Sequence, residues 1–277
     1  MKSLILKFIE AIVKPFYAKK SFQSFFGVLF NISLRGMNFR NSNHLNNGES
    51  YVVDCISDYF KNKNSNHTVI MDIGANVGNC TQMICEKFQA INLNFTVYSF
   101  EPLPATYEEL KARFQNVKNV VPLNLGVGKK NERVNMYSNH ETSELASLYK
   151  TDLDYVGIDT DMQIQTEIVR LDDFILENHI GKINFMKIDV EGSEFDILSS
   201  SPSAISKTDF IQFEFGTSNV VSRTYLKDFF ELLNPDFKMY RILKDGLLYF
   251  EKYHPDNEIA ILCNYLAVSR KIEDFNA

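Results

Sequence analysis

Several polar and glycine residues of this chain could bind a ligand or take part in catalysis, and they follow directly after apolar runs. The first run leads into a glycine-containing turn, Asp72-Ile73-Gly74-Ala75-Asn76-Val77-Gly78-Asn79. Glycine permits a tight turn and lets the backbone approach a ligand closely. The helix that we expect from Asn79 offers free N–H groups to a polar or anionic part of that ligand. The turn has neither the GxGxxG spacing of dinucleotide-binding folds nor the GK[ST] of a Walker loop. It predicts a ligand site of another kind, with an ordinary strand-to-helix turn as the alternative.

An acidic residue ends the next apolar run. Glu101 follows the run 95–100 and lies roughly 20 residues beyond the glycine turn, a spacing at which an acidic side chain accepts hydrogen bonds from ribose hydroxyls. We therefore predict that Glu101 binds a ribose, with a solvated glutamate beside Pro102 as the alternative. Asn124 ends the third run, and there it would lie beside the same pocket and grip an adenine ring.

Three carboxylates are predicted to meet at the remaining strand ends. Lys187, Asp189 and Glu191 alternate, so they share one face of a strand, and Glu214 ends the neighbouring run. Such a trio can hold a hard divalent cation, or one member with a raised pKa can act as a general base. The alternative is that Asp189 and Glu191 cap the helix that follows Ser193.

These side chains require an α/β scaffold to position them. From residue 68 onward, apolar runs alternate with helical patterns, which predicts a mostly parallel sheet with helices on both faces and a ligand at the carboxyl ends of the strands. The predicted strands cover 68–73, 95–101, 120–125, 183–190, 210–215, 237–243 and 259–268, with a hairpin at 133–137 and 162–169. The predicted helices cover 51–60, 79–88, 106–114, 171–177 and 224–233, and a further helix follows Ser193. We expect Thr106, Asp172 or Asp173, and Ser193 to cap their helices.

Composition and charge exclude several classes of protein. The chain has 277 residues, of which 45% are hydrophobic and 23% charged, as in ordinary globular proteins. The four cysteines form no CxxC pair and the five histidines show no metal spacing, which favours free thiols in a reducing, cytoplasmic compartment. The net charge is −6 although residues 1–40 contain seven basic side chains against Glu10 alone. The rest of the chain is therefore strongly acidic, which argues against nucleic acid as a partner.

The basic N-terminal segment has a different character. Apolar pairs recur every four residues at 4–5, 8–9, 12–13 and 16–17, which is typical of an amphipathic helix, and Pro15 should interrupt it. We assign residues 1–45 to a basic helical arm and 46–277 to the domain that carries the site. Residues 1–40 are predicted either to contact the inner face of an anionic membrane peripherally or to pack on the domain or on a second subunit.

Six stretches of the sequence resemble the FkbM family of S-adenosylmethionine-dependent methyltransferases, in the family's order and spacing. They are VIMDIGANVGNCT (69–81), VYSFEPLPATYEEL (97–110), LNLGVG (123–128), VRLDDFI (169–175), INFMKIDVEGSEFDIL (183–198) and IQFEFG (211–216). Upstream, LRGMNFRN (34–41) and NGE (47–49) also resemble the family, whereas residues 1–30 do not. The resemblance implies a class I methyltransferase fold, a Rossmann-like sheet of seven strands whose last strand is antiparallel. It also implies that Asp72, Gly74, Asn76, Gly78 and Glu101 contact the cofactor, S-adenosylmethionine.

The resemblance further implies O-methylation of a sugar hydroxyl in a glycan, a glycolipid or a related small molecule. A hydroxyl is a poor nucleophile at neutral pH, so a base or a divalent cation would help, whereas a carboxylate acceptor would need neither. Two other functions remain open at this stage. One is an NAD-dependent oxidoreductase, which the missing GxGxxG disfavours. The other is a non-catalytic protein of the same fold, which the intact Gly74, Gly78, Glu101 and Asp189 disfavour.

Overall fold

Two units make up this protein in a computed structural model that describes residues 2–43, 46–142, 146–149 and 162–275. The smaller unit is Met1–Arg40 and the larger is Asn41–Ala277. In the smaller unit, helix α1 (Lys2–Val13) ends before Pro15, as predicted, because a proline ring does not fit a helix interior. Helix α2 (Gln23–Gly36) follows. Among the described residues, no helix has both the length and the apolar character needed to cross a membrane.

The larger unit contains eleven strands in its described part, numbered here in chain order. They are β1 Thr68–Ile73, β2 Phe95–Phe100, β3 Val120–Leu123, β4 Gly126–Gly128, β5 Glu132–Ser138, β6 Met162–Arg170, β7 Ile183–Ile188, β8 Thr208–Phe215, β9 Phe237–Leu243, β10 Gly246–Phe250 and β11 Cys263–Ser269. Eight of them form one sheet in the order β10-β9-β11-β8-β7-β1-β2-β3. Strand β11 is antiparallel to β8 and β9, and β10 is antiparallel to β9, while the other pairs are parallel.

This sheet confirms the predicted α/β fold class, a Rossmann-like, mostly parallel class I methyltransferase sheet. It has one strand more than the seven that the resemblance implies. The extra strand is β10, which pairs with β9 across a two-residue turn, so that Leu243 faces Gly246. Every residue of β7 is buried, as are seven of the eight residues of β8. The centre of the sheet is therefore covered on both faces, as near-continuous apolar strands require.

Eight helices accompany the strands in the described part of this unit. They are α3 Glu49–Asn62, α4 Asn79–Ala90, α5 Pro104–Phe114, α6 Leu171–Glu177, α7 Glu194–Ser200, α8 Pro202–Ser206, α9 Thr217–Ser222 and α10 Leu226–Leu233. The predicted helices all exist, with ends that shift by a few residues. Apolar residues of α3 and α4 share one core with β1 and β2, because both helices bury one face, including Val53 and Ile84.

A smaller sheet stands beside the carboxyl ends of β2 and β3. Its order is β4-β6-β5, and β5 and β6 form the predicted antiparallel hairpin. The predicted strand 120–125 ends at Leu123, and the chain then enters β4, which pairs in parallel with β6. Gly126 permits this pairing, because a Cβ there would lie 2.4 Å from the Ile168 side chain.

The three predicted helix caps are wrong. Helix α5 begins at Pro104, whose fixed φ suits a first helical position, and Thr106 Oγ1 is buried with no hydrogen-bond partner among the described residues. The Asp172 carboxylate accepts hydrogen bonds from the backbone N–H groups of Ser203 and Ala204, so it caps α8 rather than its own helix. Ser193 lies at the N-cap of α7, but its side chain makes no cap hydrogen bond.

Candidate active site

A cavity of about 300 Å³ lies at the carboxyl ends of β1, β2, β7 and β8, where the strand pattern predicts it. Its wall contains parts of the glycine turn, Glu101 and all three predicted carboxylates. The lining also includes Glu49 and Lys187, and a polar group made of Asn41, Ser42, Asn47 and Asn264. The turn and the carboxylates thus share one cavity, although they are more than 100 residues apart in the chain.

The glycine turn has two positions that only glycine fits. Gly74 has φ +82°, and a Cβ there would lie 1.8 Å from the carbonyl oxygen of Asp189. Gly78 has φ +85°, and a Cβ there would lie 2.4 Å from the Phe114 ring of α5. Both backbones are in the left-handed region, which side chains disfavour. Gly74 therefore permits the contact between the β1 and β7 turns, and Gly78 permits α5 to pack on the start of α4.

Glu101 joins the turn after β1 to the turn after β2. Its Oε2 accepts a hydrogen bond of 2.9 Å from the Asn76 N–H, and its Oε1 accepts one of 2.9 Å from the Leu103 N–H. Burial raises the pKa of Glu101 to about 7, against the opposing effect of these two bonds. Each oxygen has one backbone donor, and a carboxylate oxygen can accept a second hydrogen bond from a ligand hydroxyl.

The other predicted cofactor residues lie at different depths around the turn. Asn79 and Asn76 line the cavity, and the Asn79 Oδ1 accepts a hydrogen bond of 2.9 Å from Arg113. Asp72 lies beneath the turn, where burial raises its pKa. Its Oδ2 accepts a hydrogen bond from Thr81, while Oδ1 has no partner among the described residues. The Asn124 amide donates to the carbonyl oxygens of Glu101 and Pro102.

Asp72, Gly78 and Asn124 are not among the described residues that line the cavity. In this structure they support the turns: Asp72 from below, Gly78 through helix packing, and Asn124 through the backbone of Glu101. A direct contact of these three with a cofactor stays a prediction.

The three predicted carboxylates lie together. Asp189, Glu191 and Glu214 each offer one oxygen, and these oxygens lie within 4.8 Å of one another. Burial, and then the neighbouring carboxylates of Asp189 and Glu191, raise the pKa of Glu214 well above its ordinary value. Glu191 has φ +54°, and its Oε2 accepts a hydrogen bond of 2.8 Å from Ser218. The trio therefore places a buried carboxyl with a raised pKa beside two carboxylates that accept hydrogen bonds from Lys187 and Ser218.

Lys187 lies behind Asp189 and fixes its carboxylate. Its Nζ donates to Asp189 Oδ2 at 2.9 Å and lies 3.8 Å from Glu49 Oε1. Burial lowers the pKa of Lys187, but the Asp189 and Glu49 carboxylates outweigh burial and raise it well above its ordinary value. Gln212 donates a hydrogen bond of 2.8 Å to the same Glu49 oxygen. Lys187 therefore remains charged and holds Asp189 toward the cavity.

Sequence reasoning missed two glutamates, of which Glu49 lines the cavity and Glu194 supports the turn that carries Glu191. Glu49 was noted only within the NGE motif, yet it is buried at the start of α3 and lines the cavity. Glu194 accepts hydrogen bonds from the N–H groups of Val190 and Gly192, and its second oxygen accepts one from Asn219. Burial raises the pKa of Glu194 to about 7. An acidic residue two positions after a turn glycine was the available signal, because its carboxylate can reach N–H groups of the turn that have no partner within it.

Comparison with known proteins finds methyltransferases that are similar to this chain. The hexuronic acid methyltransferase AglP of Haloferax volcanii is 26% identical over 144 residues, which are 52% of this chain and 54% of AglP. The 2-O-methyltransferase NoeI of Sinorhizobium fredii is 24% identical over 156 residues, which are 53% of this chain and 63% of NoeI. The chain thus spans between half and two thirds of the length of these relatives.

A crystal structure of methyltransferase FkbM from Methylobacillus flagellatus is 17% identical, with a TM-score of 0.44, and the alignment covers 73% of this chain and 44% of that one. The family description that matches is the methyltransferase FkbM domain, over residues 72–242. That match is more than half of the chain and includes the glycine turn, Glu101 and the three clustered carboxylates. The chain therefore belongs to the FkbM methyltransferase family.

Proposed function

We propose that this chain is an S-adenosylmethionine-dependent methyltransferase that methylates a hydroxyl oxygen of a sugar. The observation that carries the proposal is the meeting of Asp189, Glu191 and Glu214 in one cavity with the glycine turn and Glu101. Family membership supports methyl transfer. One relative's name specifies a hexuronic acid, which supports a sugar acceptor in a glycan, glycolipid or related metabolite. The other name specifies 2-O-methylation, which supports transfer to a hydroxyl oxygen.

The cofactor half of the cavity suits an adenosine. Glu101 accepts hydrogen bonds from the two ribose hydroxyls, because each of its oxygens has a single backbone donor. The glycine turn presents its backbone to the polar end of the cofactor, as Gly74 and Asn76 line the cavity. Phe100, Leu125 and Val127 supply an apolar wall for the adenine ring. When bound, S-adenosylmethionine supplies an electrophilic methyl group on a sulfonium.

The carboxylate half of the cavity activates the acceptor. Asp189 lies on the cavity wall and is fixed by Lys187, so its second oxygen can accept the hydrogen bond of a sugar hydroxyl. As the sugar hydroxyl oxygen takes the methyl group, the hydroxyl proton passes to the carboxylate cluster. Glu191 and Glu214 lie beside Asp189, and neighbouring carboxylates favour the protonated form of the group that accepts the proton. General-base assistance of this kind contributes about a hundred- to ten-thousand-fold in rate.

A divalent cation is the second version of the same proposal. Three carboxylate oxygens within 4.8 Å of one another form a donor set of the kind that hard cations prefer. The candidate ligands are Asp189, Glu191 and Glu214, and a cation there would lower the pKa of a bound hydroxyl. Removal of metal with EDTA, followed by Mg²⁺ or Mn²⁺, separates the versions: a metal-dependent enzyme loses and regains activity, whereas a base-catalysed one is unaffected.

We also propose that residues 1–40 contact the inner, cytoplasmic face of a membrane peripherally, and that residues 46–277 form the methyltransferase domain. The described part of the smaller unit exposes nine large apolar side chains on its two helices. They are Leu4, Phe8, Ile9, Ile12, Phe25, Val28, Leu29, Phe30 and Ile32. The same segment has seven basic residues against one acidic residue. Each basic residue near an anionic surface contributes about 1 kcal/mol. Such contact would bring the enzyme close to a lipid-linked sugar.

Two measurements test the function. Calorimetry should show binding of S-adenosylmethionine to the purified protein, and no binding of NAD. Mass spectrometry of total glycans and glycolipids, from cells with and without the gene, should show a product heavier by one methyl group in the former. Binding of NAD instead would support the oxidoreductase alternative. Binding of S-adenosylmethionine together with identical glycan profiles would support the cofactor assignment and refute the assignment of a sugar as the methyl acceptor.

A further inference from the structure

The charge of the cavity constrains its acceptor. Its described lining contains five carboxylates, and they are Glu49, Glu101, Asp189, Glu191 and Glu214. The described lining contains one basic side chain, Lys187. Glu101 lies in the cofactor half, so four carboxylates and one lysine face the half where the acceptor must lie. Negative groups therefore outnumber positive ones in the described lining of that half.

Lys187 is not placed to bind an anionic acceptor. Its side chain is 8% exposed, and its Nζ lies 2.9 Å from Asp189 and 3.8 Å from Glu49. An anion that approached Lys187 would compete with Asp189 for the same ammonium and would lie beside Glu49. Binding of a carboxylate or phosphate normally requires a cation with free donors, as an arginine or an exposed lysine provides.

The remaining polar wall is uncharged. Asn41, Ser42, Asn47 and Asn264 line the cavity, and Asn264 lies on β11 directly opposite Glu214 on β8. Carboxamides and hydroxyls both donate and accept hydrogen bonds, which matches the hydroxyls of a neutral sugar. Carboxylates also accept hydrogen bonds from sugar hydroxyls without a change of charge.

We propose that the sugar residue which receives the methyl group carries no carboxylate, phosphate or sulfate, so that the acceptor is a neutral sugar. The inference rests on the proposed function and narrows its substrate class. It separates this chain from the relative whose name specifies a hexuronic acid. At separations of about 8 Å and an effective dielectric constant of about 20, one facing pair of like charges disfavours binding by at least about ten-fold.

The test uses the full-length protein and S-adenosylmethionine labelled with tritium on the methyl group. Glycans and glycolipids from cells that lack the gene are separated by anion exchange into neutral and acidic fractions, and each is incubated with enzyme and label. The labelled sugar residue is then identified in the products of both fractions, and we expect at least ten-fold more label on uncharged residues than on charged ones. Label mainly on the charged residues of the acidic fraction overturns the inference and leaves the proposed function standing. Label in neither fraction, with S-adenosylmethionine bound, overturns the sugar acceptor and this inference with it.

A variant tests whether charge is the cause. Ser42 is exposed on the cavity wall, so Ser42→Arg would add a cation with free donors. We expect Ser42→Arg to raise labelling of the acidic fraction relative to the neutral one by several-fold, and Ser42→Gln, which adds length without charge, to leave the ratio unchanged. The effect of Ser42→Arg should weaken at high salt, as charge interactions do. Equal ratios for the two variants would show that charge does not set the preference.

Discussion

The replacement Glu101→Ala tests the cofactor site most directly. The wild-type carboxylate accepts hydrogen bonds from the N–H groups of Asn76 and Leu103, both at 2.9 Å. We propose that it also accepts hydrogen bonds from two ribose hydroxyls. A hydrogen bond to a charged group contributes about 1.5–3 kcal/mol. Water fills part of the space that alanine leaves, so we take the lower end of this energy range, about 1.5 kcal/mol, for each ribose hydroxyl. The expected loss is about 3 kcal/mol, or roughly 100-fold in the Kd of S-adenosylmethionine.

Titration calorimetry measures this loss, and pH adds a second criterion. Burial raises the pKa of Glu101 to about 7 in the free protein, so at pH 6 about one tenth of the molecules carry the carboxylate. If the ionised form binds the ribose, affinity should fall about ten-fold from pH 8 to pH 6 in the wild type. The same pH change should have a smaller effect in Glu101→Ala.

Glu109→Ala is the matched control, because Glu109 is an exposed glutamate on α5, close in sequence and outside the cavity lining. Its affinity and pH profile should equal those of the wild type. Glu101→Ala also leaves two backbone N–H groups without their acceptor, so its unfolding should be followed in denaturant. An unchanged Kd in a folded Glu101→Ala protein would refute the assignment of Glu101 to the ribose. A pH dependence that is identical in wild type and variant would show that another group is responsible.

Three further predictions concern turnover, stability and membrane contact. Asp189→Asn should lower kcat by about a hundred- to ten-thousand-fold while the Kd of S-adenosylmethionine changes by less than about three-fold, and a wild-type rate would make Asp189 a structural residue. Glu194→Ala should lower the free energy of unfolding by about 2–4 kcal/mol, because three donors lose a buried acceptor, whereas Ser193→Ala should cost less than about 1 kcal/mol. Equal losses in denaturant unfolding would show that Glu194 does not stabilise the turn after β7. Flotation with anionic vesicles should decrease at high salt and in Phe8→Asp, and unaltered flotation of that variant would remove residues 1–40 as the contact.

Local signals were sufficient for the elements that hold the site. The strand Thr68–Ile73 was predicted with its observed ends, because a six-residue apolar run before a glycine turn leaves few alternatives. Glu101 and the carboxylate trio followed from the same logic, since the carboxyl ends of parallel strands meet at one edge of the sheet. The positions of Asp189 and Glu214 at strand ends were therefore enough to predict that the two side chains lie close together.

Features that depend on tertiary contacts could not be found in this way. Asp172 caps a helix that begins 30 residues later in the chain, so no pattern within its own helix reveals that role. Strand β10 is half-exposed at the sheet edge, and its run Gly246–Phe250 is short enough to be taken for a loop. Glu49 reaches the cavity only because α3 begins beside β8, where Gln212 holds it. Local sequence gives the kind of element, whereas the partners of a polar side chain depend on the packed fold.

The close approach of Gly74 to Asp189 has a consequence for how this enzyme can diversify. The backbone of the glycine turn lies against that of the turn that carries Asp189, and a single added carbon at Gly74 would lie 1.8 Å from the Asp189 carbonyl oxygen. Neither turn can therefore be remodelled without moving the other, so the glycine turn and the turn that carries Asp189 must change together. A change of methyl acceptor would then require substitutions elsewhere in the cavity wall, for example at Ser42 and Leu148, which line the cavity from separate segments of the chain. Substitutions among relatives of this chain should therefore be more frequent at these wall positions than in the turns that contain Gly74 and Asp189.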